Sequence, residues 1–113
     1  MYKVLISDKL EKEGLDILTA DKNFQVDCKF GISAAELKSI IKDYDALIVR
    51  SGTQVTAEII EVADKLKVIG RAGVGLDTVD LSAATKKGVV AMNTPGGNTT
   101  STAEHTMSMI MAL

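Results

Sequence analysis

Two short segments bring together the residue types that hold small anions. Arg71-Ala72-Gly73-Val74-Gly75-Leu76-Asp77 closes an apolar run with two glycines that let a ligand come close to the backbone. Arg50-Ser51-Gly52-Thr53 sets backbone N–H groups beside a guanidinium, a combination suited to a carboxylate or a phosphate. A G-x-G-x-x-G dinucleotide loop needs its third glycine for close helix–strand packing, and the register of Gly73 and Gly75 puts Thr78 at that place. The second segment therefore does not read as a pyrophosphate cradle. Plainer readings stay open on these residues alone: a tight turn with a solvated Arg50, turn glycines at 73 and 75, and Arg71 paired with Asp77.

Other residues invite chemistry and do not complete it. His105 is the one histidine. It lies in the first turns of a helix with no cysteine near it, so it receives no acid–base role, and Glu104 reads as half of a helix cap. No nucleophile, base and orienting group occur together, so no catalytic residue is assigned. Cys28 is the one cysteine. It has no disulfide partner and no zinc-ligand spacing, and its alternation with Val26 reads as a small buried hydrophobe on a strand. No metal site is assigned. Asp8, Asp45 and Asp77 read as caps or turn residues. Asn93-Thr94-Pro95-Gly96-Gly97-Asn98-Thr99-Thr100 is rich in turn formers and reads as a hinge, or as an ordinary loop before a helix opened by Ser101.

The elements that must position these loops follow from the pattern of apolar runs. Runs rich in β-branched residues recur at Tyr2 to Ser7, Phe24 to Lys29, Ala46 to Arg50, Leu66 to Arg71 and Val89 to Met92, five candidate strands. Helix-like stretches lie between them. Three carry a capping box, pairing Asp8 with Glu11, Ser33 with Glu36 and Ser101 with Glu104. A fourth starts at Thr56 and runs through Ile59, Ile60 and Ala63, and a fifth runs from Asp80 to Lys87 and stops at Gly88. Strict alternation of strand and helix predicts an α/β fold with a parallel sheet covered on both faces. In such sheets ligands gather at the carboxyl ends of the strands, which is where both glycine-bearing loops fall.

Bulk properties narrow the partners. A chain of 113 residues that is 46% hydrophobic buries one core without disulfides or metal, and a net charge of −2 favours neither nucleic acid nor an anionic membrane. The N-terminus meets Asp8 too early for a signal peptide, and no apolar run nears the roughly 20 residues that span a bilayer. The expectation is a soluble cytoplasmic protein. From Met107 to Leu113 six of seven residues are apolar. A helix there is hydrophobic all round and calls for cover from a further part of the protein or from a tight oligomer.

Taken together, Val49 to Thr53, Gly70 to Asp77, Asn93-Thr94-Pro95, and Ala103-Glu104-His105-Thr106 resemble the D-isomer-specific 2-hydroxyacid dehydrogenases over the whole chain, and most of all their phosphoglycerate-specific members. The resemblance implies a flavodoxin-like, five-stranded substrate-binding domain over residues 1–98. It also implies that 99–113 begins an interdomain helix leading to an absent NAD-binding domain. It implies an NAD-dependent oxidation of 3-phosphoglycerate to 3-phosphohydroxypyruvate in serine synthesis by the full-length protein, a homo-oligomer. Substrate-binding residues would be Arg50, Ser51, Gly52, Arg71, Gly73, Val74 and Gly75, with the two arginines facing the phosphate. Val74 and Thr106 would approach the cofactor. The family's nucleotide loop and catalytic residues have no counterpart here, so the 113-residue chain is expected to be inactive. The rival readings are a dehydrogenase of lactate, glyoxylate or hydroxypyruvate, and a free-standing flavodoxin-like binding module. A phosphoacceptor receiver would need more acids, and a flavin protein a hydroxyl-rich first loop.

Overall fold

The computed structural model describes residues 2–50, 52–72, 78–94 and 99–112. Among them the order is β1 (Tyr2–Ile6), α1 (Lys12–Ala20), β2 (Phe24–Cys28), α2 (Ala34–Ile40) with a 3-10 turn (Ile41–Asp43), β3 (Ala46–Val49), α3 (Ala57–Val62), β4 (Val68–Ala72), α4 (Leu81–Lys87), β5 (Val90–Thr94) and α5 (Thr99–Ala112). The alternation expected from sequence is present throughout. All strands run parallel in one sheet of order β2-β1-β3-β4-β5. This is the flavodoxin-like order, whose reversal point lies between β1 and β3.

Two cores form because side chains alternate across each strand. Leu5, Leu47, Val49 and Ile69 meet Leu37, Ile59, Ile60 and Ala84 of α2, α3 and α4 on one face. Val4, Ile6, Ala46, Ile48 and Val68 meet Leu18 of α1 and Ala103 and Ile110 of α5 on the other. The central strand β3 is fully buried on both sides, which accounts for its unbroken Ala-Leu-Ile-Val run.

Local signals set most element ends. Ser33 accepts from the Glu36 N–H, Asp80 accepts from the Ala83 N–H, and Gly88 closes α4 at φ 77°. The other two capping boxes are corrected. α1 begins after Glu11, which makes no side-chain cap, and the Asp8 carboxylate points elsewhere. α5 begins at Thr99, so Ser101 lies inside it rather than opening it. Cys28 is also corrected: it is exposed at the end of the edge strand β2, because an edge strand has a neighbour on one side only. Burial of the sulfur, then the charge of Asp27, nonetheless push its thiol pKa up.

The all-round apolar helix is covered by the chain itself on one side. α5 packs against α1 and β4, burying Thr102, Ala103, Thr106 and Ile110, while Met111 remains exposed. Among the described residues no helix is long and apolar enough to cross a membrane.

Candidate functional site

The site is assembled at the carboxyl edge of the sheet, where β1, β3 and β4 end side by side. Val49 is in register with Arg71, so Arg50 leaves β3 where Arg71 and Ala72 end β4. Beyond the strands the two connections stay together. Val55 N–H donates to the Thr78 carbonyl at 2.8 Å, Asp80 N–H donates to the Val55 carbonyl at 2.9 Å, and Val55 and Val79 form an isolated parallel bridge. The segments around Val55 and Val79 therefore run side by side beyond the sheet. Ser51 and residues 73–77 and 95–98 lie outside the described residues, so the expected placements of Ser51, Gly73, Val74, Gly75, Asp77 and most of the hinge fall there.

Arg71 is nearly buried, and its Nε donates to Thr78 Oγ1 at 3.1 Å. That bond gives Thr78 a purpose at the place where a dinucleotide loop would carry its third glycine. A guanidinium taken out of water needs such partners to keep its charge inexpensive. Arg50 is half-buried at the start of its turn.

Sequence reasoning missed the group that shapes this turn. Asp8 follows β1, and its Oδ2 accepts the Arg50 N–H at 2.7 Å and the Thr53 N–H at 3.1 Å. Its Oδ1 accepts the Thr53 hydroxyl at 2.9 Å. Ser7, almost fully buried, lies 2.9 Å from the same hydroxyl. Thr53 has one proton and gives it to Asp8, so Ser7 is the donor to Thr53. Gly52 fits against this carboxylate: a Cβ there would stand 2.8 Å from Oδ1. The available signal was an acid directly after the first strand, and it was absorbed into a helix-cap reading.

Thr106, expected near the cofactor, packs inward. It is fully buried, donates to the Thr102 carbonyl at 2.7 Å, and packs on Gly70 of β4. α5 sits directly on β4 there. His105 is exposed on α5. Among the described residues no group of three or more His, Cys, Asp and Glu could hold a metal ion.

The family model described as D-isomer specific 2-hydroxyacid dehydrogenase, catalytic domain, matches residues 4–109. The chain belongs to that family. D-3-phosphoglycerate dehydrogenase of Synechocystis sp. is 50% identical over 100% of this chain and 20% of its own length. The human enzyme of the same name is 53% identical over 100% of this chain and 21% of its own. The chain thus spans about a fifth of the length of these relatives. Among solved structures, the PH0520 protein of Pyrococcus horikoshii OT3 matches 85% of this chain and 28% of its own at TM-score 0.79 and 35% identity. NAD+-bound 3-phosphoglycerate dehydrogenase of Entamoeba histolytica matches 84% of this chain and 33% of its own at TM-score 0.75 and 31% identity. For a 2-hydroxyacid dehydrogenase the paired segments around Val55 and Val79 lie on the side where this fold class receives ligands, beyond the strand carboxyl ends.

Proposed function

We propose that this chain is the substrate-binding part of an NAD-dependent phosphoglycerate dehydrogenase acting in serine biosynthesis, with residues 1–98 as its domain and α5 leading into the nucleotide domain. The reading rests on the family match over residues 4–109, and is supported by the Val55–Val79 bridge that ties the segments following β3 and β4. Ser51, Gly52, Gly73, Val74 and Gly75 hold the substrate carboxylate, and Arg50 and Arg71 face its phosphate. Fixing the carboxylate aims C2 at the cofactor, which is an orientation effect.

The described residues do not make a dinucleotide site of their own. Thr78 binds Arg71 where a third glycine would be needed, and Thr106 is buried. NAD, which accepts the hydride when bound, is held by the rest of the protein. Val74 is the residue of this chain that approaches it in this reading. The full-length protein is a cytoplasmic homo-oligomer in this reading, and it takes a small phosphorylated 2-hydroxy acid rather than nucleic acid or membrane.

Arg50→Ala and Arg71→Ala in the full-length protein are each expected to raise KM for 3-phosphoglycerate about tenfold or more, the scale of one lost charged hydrogen bond. KM for an unphosphorylated hydroxy acid should change far less. An equal loss on both substrates overturns the phosphate assignment. Turnover by the isolated 113-residue chain overturns its reading as a binding part alone.

A further inference from the structure

We infer that Asp8 is a positioning residue for substrate binding: its carboxylate moulds the turn after β3 into the shape that receives the substrate's own carboxylate. The inference rests on the proposed dehydrogenase reading and deepens it. Asp8 lies two residues past the end of β1, and β1 and β3 are neighbours through Val4–Ala46, Leu5–Leu47 and Ile6–Ile48. Its side chain therefore crosses the reversal point of the sheet, the place where this fold class receives ligands.

Both carboxylate oxygens are committed to one turn. Oδ2 takes the N–H groups of Arg50 and Thr53, which flank the turn, and Oδ1 takes the Thr53 hydroxyl, itself held by Ser7. Bonds to a carboxylate are the strong kind, and 2.7 Å to the Arg50 amide is at the short end. The turn wraps an internal anion as an amide nest wraps a bound one. Gly52 has no side chain because that carboxylate occupies the space one would take. Among the described residues Asp8's backbone donors are Arg50 and Thr53, at the two ends of the turn. A negative charge beside an anion site would repel the ligand. Three donors on Asp8 absorb that charge, and Arg50 adds a positive one to the same turn.

An asparagine fits only with the hydroxyl pair reversed. Its amide oxygen takes the two backbone N–H groups, its NH2 donates to Thr53 Oγ1, and Thr53 then donates to Ser7. Neutral bonds then replace the charge-assisted ones that hold the turn.

The test uses the full-length protein with Asp8→Asn, Thr53→Val and Thr53→Ser. Asp8→Asn is expected to raise KM for the hydroxy acid by about 10- to 100-fold, the scale of an ångström-sized misplacement. Kd for NAD and the melting temperature should stay near wild type. Thr53→Val should raise the same KM less, and Thr53→Ser, which keeps the hydroxyl, should restore it. A merely structural Asp8 predicts instead that melting temperature and NAD binding fall together with activity, and that result overturns the inference. So does an Asp8→Asn KM within twofold of wild type. Should Asp8→Asn not fold, the threonine pair decides, and equal KM values for Thr53→Val and wild type overturn it. A full-length wild type without dehydrogenase activity overturns the functional reading and this inference with it. An active wild type with unaltered variants overturns this inference alone.

Discussion

Tyr44 is almost fully buried, and its hydroxyl donates to Asp27 Oδ2 at 2.7 Å. Burial first, then the bond to Asp27, raise its pKa well above the ordinary tyrosine value. The folded state thus keeps a proton that the unfolded chain releases near pH 10. More protons bound in the folded state means stability falls as pH rises. Stability measured by urea unfolding should be level in this respect below about pH 10 and decline above it. Tyr44→Phe should flatten that decline, and an unchanged alkaline slope in the variant would show that Tyr44 does not cause it. The same scale shows how one carboxylate escapes a local reading. Asp8 sits three residues before Glu11, as a capping box requires, yet its partners are 42 and 45 residues away.

Among the elements, α5 depends on one missing side chain. A Cβ at Gly70 would lie 2.6 Å from Thr106 Oγ1 and 3.3 Å from Thr102 Cγ2, so the helix reaches β4 only over glycine. Gly70→Ala should destabilise by about 1–3 kcal/mol, the usual cost of overpacking. Thr106→Ala removes the clashing oxygen, so the double variant should be more stable than the two single losses added together. Additive losses in urea titrations would mean that the contact is not the cause. This contact also explains Thr106. Packed on β4 it has no exposed atom.

The molecule as a whole is a doubly covered sheet whose middle strands carry most of the core. Amide hydrogen exchange should be slowest in β3 and β4 and faster in the edge strand β2, whose burial is broken by exposed Gln25 and Cys28. Uniform protection across the sheet would contradict that ordering. Much of this architecture is legible in one dimension. The apolar runs, the Ser33 and Asp80 caps and Gly88 depend on neighbours within a few residues, so the sequence by itself determines five parallel strands, their helices and the loops that end β3 and β4. Strand order is a different kind of information, because it sets which distant segments meet. Only the tertiary structure decided that β1 lies beside β3, which turns Asp8 from a cap into the support of the turn after β3. It likewise buried Thr106 on Gly70 and left Cys28 on an open edge, since burial depends on what packs alongside and not on the pattern within a strand.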